Sequence, residues 1–200
     1  PGMINTHMHL YSTFARGMAL KDAPPQNFVE ILERLWWRLD KVLTLEDVYY
    51  SALPVIIDCI KNGTTTILDH HASPGAVRES LFTLANAAKT AGIRASFCYE
   101  VSDRDGATVM QEGIRENVEF IQHAKQDADH MLSGMFGMHA SMTLSDKTLA
   151  ACAAANAGTG AGFHRDAAPR VAGDGIERCA RAGGTVVFVG GVHEAVRQTR

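Results

Sequence analysis

His7 and His9 sit two positions apart in the opening stretch Pro1-Gly2-Met3-Ile4-Asn5-Thr6-His7-Met8-His9-Leu10-Tyr11. In a strand, residues i and i+2 share a face, so the two imidazoles can converge on one point. Neutral imidazole is a ligand for zinc and other borderline metals, and two convergent rings make half of a four-coordinate site. The alternative is that one ring packs while the other hydrogen-bonds in a turn. Asp69-His70-His71 and His139 also fall at the ends of short apolar runs. There they either line the same site or organise loops by hydrogen bonding.

The elements that must position these residues follow from pattern. A polar loop from Tyr11 to Gln26 precedes Phe28, Ile31, Leu32, Leu35, Trp36 and Leu39 at helical spacing. Thr44, with Asp47 three residues on, caps a second helix that runs to Lys61 and stops at Asn62-Gly63. The β-branched run from Thr64 to Asp69 predicts a strand, and a helix follows from about Ala76 to Ala91. Ile93 to Tyr99 is the next strand, and Met110, Ile114, Val118, Phe120 and Ile121 mark the next helix. Met131 to Met138 predicts a fourth strand, Ser145 caps a helix from Asp146 to Asn156, and Gly160 to His164 predicts a fifth strand. Strands alternating with helices in this way argue for βαβ units and a parallel sheet.

A chain of 200 residues, 46% hydrophobic and 20% charged, has enough apolar content for a sizeable core. A net charge of −3 gives no reason to expect nucleic acid or an anionic membrane as a partner. No run approaches the roughly 18 apolar residues of a membrane span, and the N-terminus shows no signal-peptide pattern. Cys59, Cys98, Cys152 and Cys179 are widely spaced in apolar segments, which predicts buried free thiols and a reducing, cytoplasmic setting.

The His-x-His segment resembles the amidohydrolase superfamily, metal-dependent hydrolases built on a (β/α)8 barrel in which such a pair ends the first strand. The runs Leu35-Trp36-Trp37-Arg38-Leu39-Asp40-Lys41, Asp69-His70-His71-Ala72-Ser73-Pro74, Tyr99-Glu100-Val101-Ser102-Asp103-Arg104-Asp105-Gly106 and Gly137-Met138-His139-Ala140-Ser141 are similar to the SsnA-like aminohydrolases. These are relatives of the chlorohydrolase and cytosine/guanine deaminase group. The resemblance covers residues 1 to about 164. It implies one divalent metal, zinc or alternatively iron, held by His7 and His9, and hydrolysis of a non-peptide C–N bond in a small heterocyclic molecule. It also implies that His139 contacts substrate, and His70 and His71 are candidates for the same role. Arg16 and Trp37 read more simply as an exposed cation and a core ring. Glu100, Asp103 and Asp105 read as a solvated charged loop, and His123 and His130 as water-facing.

The resemblance also implies a third ligand and a proton-shuttling Glu in a His-x-His-x-x-Glu motif on strand five. Here the run is His164-Arg165-Asp166-Ala167-Ala168-Pro169, which puts Asp166 at the ligand position and Pro169 at the shuttle position. Aspartate can bind zinc, whereas proline cannot move a proton. The catalytic residue is therefore unassigned. The expected fold is α/β: an incomplete TIM-type barrel of about five strand–helix units, residues 1–164, plus a divergent βα-like tail over residues 165–200. A full barrel takes about 250 residues, so the chain reads as an excerpt, and the tail as the mark of a fusion or frameshift. An open sheet leaves edges that favour homo-oligomeric association unless other chains cover them. Two further readings stand beside the hydrolase: a non-catalytic fragment with weak metal binding, and a nicotinamide-dependent oxidoreductase fragment. The latter rests on Gly183-Gly184 and the apolar run to Gly190-Gly191 alone, and His193 in this tail reads as a surface residue.

Overall fold

The structure is a computed structural model that describes residues 1–166 and the strand at 186–189. Strand β1 (Met3–Met8) is followed by a short 3-10 turn at Leu10–Ala15. A helical segment comes next, with α1 (Phe28–Ile31) passing through a π-helical stretch, Leu32–Trp36, into α2 (Trp37–Val42). The order continues α3 (Leu45–Lys61), β2 (Thr64–His71), α4 (Ser80–Ala91), β3 (Arg94–Tyr99), α5 (Ala107–Ala124), β4 (Leu132–Gly134), β5 (Phe136–Met138), α6 (Asp146–Ala157), β6 (Phe163–Asp166) and β7 (Val186–Val189).

Every strand pairing among the described residues is parallel. One sheet runs β1-β2-β3-β4 and the other β5-β6-β7, and a parallel bridge from Val101 to Met138 joins them. The expected fourth strand is thus present but broken at Met135. The break has a local cause. Gly137 lies so close to Tyr99 that a Cβ there would sit 2.3 Å from the Tyr99 carbonyl oxygen. The buried Asn117 side chain of α5 fills the seam. It accepts from the backbone N–H groups of Tyr99 and Gly137 at 2.8 and 3.2 Å and donates to the Tyr99 carbonyl at 2.9 Å. The ladder therefore passes through a side chain at this point, which gives partners to the Tyr99 and Gly137 N–H groups and the Tyr99 carbonyl.

The turns follow from sequence. Thr44 and Asp47 form the reciprocal capping box that starts α3. Gly92, in the left-handed region at φ 76°, ends α4 and lets the chain reverse into β3. β3 is buried along its length after Arg94, as a strand covered on both faces must be. The main core gathers Val48, Ala52 and Ile56 of α3 with Leu81, Leu84 and Ala88 of α4, over Ile67 and Phe97 of the sheet. A second cluster places Ile121 and Cys152 against Phe136 and Phe163. Cys98 and Cys152 are buried as expected, Cys59 is half-buried, and Cys179 lies outside the described residues. The helix expected in the tail also lies outside them.

The N-terminus of α4 depends on a group 37 residues away. Glu79 holds a left-handed φ of 68°, unusual for a residue with a side chain, and its N–H donates to Glu116 Oε2 at 3.0 Å. Leu81 N–H donates to Glu116 Oε1 at the same distance. Burial pushes the Glu116 carboxyl up to about 7, against the downward pull of the two amides and Arg78. Because the folded pKa lies above the unfolded value of 4.5, the native state holds the proton more tightly than the unfolded chain. This contribution is full below pH 4.5 and is lost as pH rises to about 7. Glu116→Ala is expected to cost about 2–3 kcal/mol in urea unfolding and to flatten the pH dependence in that window. Glu119→Ala, which removes only an exposed partner of Arg78, should cost under about 1 kcal/mol.

Candidate metal centre

Because all the strands are parallel, their carboxyl ends open on one side, and the chemistry-bearing residues collect there. His7 lies near the end of β1, and His9 just beyond it. His70 and His71 end β2, Glu100 follows β3, His139 follows β5, and His164 and Asp166 lie on β6. His7 and His9 do converge, with ring centroids 4.9 Å apart. The β1–β2 register shifts between Asn5 and Met8, at the point where the pair is presented.

Each ring is oriented by a partner. His9 Nδ1 lies 2.6 Å from the His70 carbonyl oxygen and must donate to it, which leaves Nε2 with its lone pair. The turn after His9 is fixed by Asp69, whose carboxylate accepts from Leu10 N–H at 2.6 Å. Burial raises the Asp69 carboxyl to about 7. Asp69 therefore organises the loop, and the neighbouring His70 faces the site. His7 Nδ1 lies 2.8 Å from His164 Nε2 with the rings stacked, and His7 Nε2 lies 3.2 Å from Asp166 Oδ1. The same carboxylate oxygen is 3.2 Å from His70 Nδ1.

The electrostatics follow from one carboxylate among several buried imidazoles. Burial, reinforced by His9, lowers the His7 pKa to about 4; it lowers that of His9, and brings His164 and His139 to about 3. These rings are neutral at pH 7, as ligands must be. Burial alone would also lower His70, but Asp166, then Glu100 and Asp69, outweigh it and raise that ring to about 9. Burial would raise the Asp166 carboxyl, yet His70, His9 and His7 hold it ionised, well below the usual range.

The ligand atoms of His7, His9 and Asp166 all lie within 4.8 Å of one another, as do those of His7, His70 and His164. Two neutral imidazoles and an ionised carboxylate are a donor set suited to a divalent ion of the zinc type. His71 is turned a layer away. Its Nε2 donates to Ser73 Oγ at 2.9 Å, since the Ser73 hydroxyl spends its own proton on the Ala76 carbonyl. The His71 ring packs on Tyr11 and Tyr99. His139 faces the cluster, with Nε2 3.4 Å from Glu100 Oε1.

Glu100 corrects the reading of a solvated charged loop. It is 6% exposed and sits between His70 and His139. Its loop is tied down by partners distant in sequence. Arg104 pairs with Asp40 at 2.5 Å, Asp103 accepts from Ser145 N–H at 2.6 Å, and Asp105 pairs with Lys41 at 3.0 Å. His164, to which the sequence assigned no role, is the other addition. Its position two residues before Asp166 was the available signal, because i and i+2 share a strand face. Arg16 and His123 are exposed, as expected, and so is His130. Trp37 is half-buried and stands against the His139 ring. His193 lies outside the described residues.

A parallel α/β sheet with histidines at the carboxyl ends of its strands defines the class, and comparison with known proteins gives the family. Residues 1–185 match the Amidohydrolase family, and the chain belongs to it. It is 32% identical over 168 residues to the 5'-deoxyadenosine deaminase of Methanosarcina barkeri, covering 82% of this chain and 35% of that protein. It is 30% identical over 167 residues to the 5-methylthioadenosine/S-adenosylhomocysteine deaminase of Desulforudis audaxviator, with the same coverage. The chain thus spans about a third of the length of these relatives. Among solved structures, an adenosine deaminase from Xanthomonas campestris with bound zinc superposes with a TM-score of 0.71 at 22% identity, over 92% of this chain and 42% of that one. A guanine deaminase from C. acetobutylicum with bound guanine gives 0.68 at 16% identity, over 83% and 39%. These likenesses show the fold: an incomplete TIM-type barrel.

Asp69→Ala removes the anchor of the turn that carries His9. It is expected to destabilise the fold by about 1–3 kcal/mol and to weaken zinc binding about 10- to 100-fold in a chelator-competition titration.

Proposed function

We propose that this chain carries the metal-binding part of a metal-dependent hydrolase acting on non-peptide C–N bonds, an aminohydrolase that deaminates a small heterocyclic molecule. The observation that carries the reading is the convergence of His7, His9 and Asp166 at the carboxyl ends of parallel strands. The deaminase names of its relatives support it. In this reading the chain is SsnA-like, and the barrel segment runs to about residue 164 with a tail of different character beyond it. It acts in the cytoplasm on a small-molecule substrate, independently of nucleic acid and membrane, and associates into homo-oligomers. Among the described residues no helix is long and apolar enough to cross a membrane.

His7, His9 and Asp166 would hold one divalent ion, zinc in preference to iron, since imidazole with carboxylate suits zinc and the Xanthomonas neighbour holds it. When bound, such an ion supplies Lewis acidity that brings the pKa of a water toward neutrality. The residues of the chain do the rest. The His70 carbonyl fixes the tautomer of His9, and Asp166 balances the charge of the site. His70 and His139 face the substrate, and His71, its Nδ1 buried without a hydrogen bond, backs them. Pro169, at the position where the family's shuttle would stand, lies outside the described residues.

Metal analysis of the purified chain tests this reading. Near-stoichiometric zinc, lost in His7→Ala while the circular dichroism stays native, is the expected outcome. Protein that holds no metal after zinc loading and desalting leaves only the reading of a non-catalytic fragment.

A further inference from the structure

A second set of ligand atoms stands beside the centre of His7 and His9. Those of Glu100, His139 and Asp166 also lie within 4.8 Å of one another, and Asp166 is the one residue the two sets share. Glu100 and His139 follow β3 and β5, and each side chain is 4% exposed. Glu100 Oε1 stands 3.4 Å from His139 Nε2. Ligand atoms about 2.0–2.2 Å from a tetrahedral zinc lie about 3.3–3.6 Å from each other, so this pair is spaced to grip one ion.

The orientation of His139 suits the same use. The Thr143 hydroxyl donates to the Ala140 carbonyl at 2.9 Å, so its oxygen accepts from His139 Nδ1–H at 2.6 Å. That leaves the lone pair on Nε2, and a hydrogen bond to the far nitrogen is how metal-binding imidazoles are held in place. Burial raises the Glu100 carboxyl to about 8, against the pull of His70, so at neutral pH it has a proton to donate to His139 Nε2. A cation at this point replaces that proton, which leaves to solvent. His70 also lies 4.0 Å from Glu100, but its Nδ1–H is given to Asp166 and the protonated ring has no lone pair to offer. Asp166 has two carboxylate oxygens and can serve one ion with each.

We propose that Glu100 and His139, with Asp166 as the shared carboxylate, form a second divalent-cation site beside that of His7 and His9. The inference rests on the metal centre proposed above. The second site is the weaker one, because its ion displaces a proton from Glu100 and divides Asp166 with the first. An ion there also occupies the lone pair that His139 otherwise turns to substrate, which makes excess zinc an inhibitor.

Calorimetric titration of the purified chain with zinc tests this. Wild type should take up two zinc ions per chain, the second about tenfold or more weaker than the first. Glu100→Gln and His139→Gln, each with native circular dichroism, should take up one, its affinity within about threefold of the tight site in wild type. Wild type that saturates at one zinc overturns the proposal and leaves the first centre standing. A second zinc that survives both substitutions sits elsewhere, on exposed rings such as His123 or His130, and overturns it too. Loss of the tight zinc in a folded Glu100→Gln makes Glu100 a ligand of the first ion, with the same result. A chain that binds no zinc fails the metal-centre reading itself, and this inference with it.

Discussion

The Asp166 carboxylate, set among buried imidazoles, is the interaction on which the rest of the site depends. Several histidines within a few ångströms of one another cannot all be protonated in a desolvated space, and without a counter-charge even one proton would be costly. Asp166 meets His7 and His70 through the same oxygen at 3.2 Å. The result is a division of charge: His7, His9, His139 and His164 stay neutral with lone pairs available, and His70 carries the proton. The neutral rings are those able to offer a lone pair to an ion.

The fold makes this arrangement unavoidable once the strands are parallel. A residue at the carboxyl end of β1 and one at the carboxyl end of β6 are more than 150 positions apart, yet they meet because both strands end on the same side. The backbone then refines what the topology brings together. Asp69 pins the turn after His9, and the His70 carbonyl aims its ring. Asn117 bridges the seam where the fourth strand breaks, which keeps Tyr99 and Gly137 in place and so presents Glu100 and His139 to the same space. Support of this kind lets imidazoles converge at fixed geometry instead of sampling many rotamers.

Much of this was legible from sequence, for reasons that are local. Alternating strands and helices declared the parallel sheet, and the Thr44–Asp47 pair marked the start of α3. His7-x-His9 announced its own convergence, because its spacing equals the period of a strand. What was missed is non-local. Glu100 sits in a run with Asp103, Arg104 and Asp105 that has the composition of solvated surface. Its burial comes from Asp40, Lys41 and Ser145, which are 40 or more residues away and tie those neighbours down. The break between β4 and β5 was equally hidden, since it arises from the approach of Gly137 to Tyr99 and a side chain of α5. Pairwise meetings across such distances leave no periodic trace in the chain.

The central claim is that the imidazoles ordered around Asp166 are metal ligands and not a packed polar cluster. X-ray absorption of the zinc-loaded chain measures this directly. The account predicts at least two imidazoles and a carboxylate in a shell of nitrogen and oxygen at about 2.0–2.2 Å, with imidazole scattering diminished in His9→Ala. A zinc–sulfur distance near 2.3 Å, or a spectrum without imidazole that His9→Ala leaves unchanged, would contradict it.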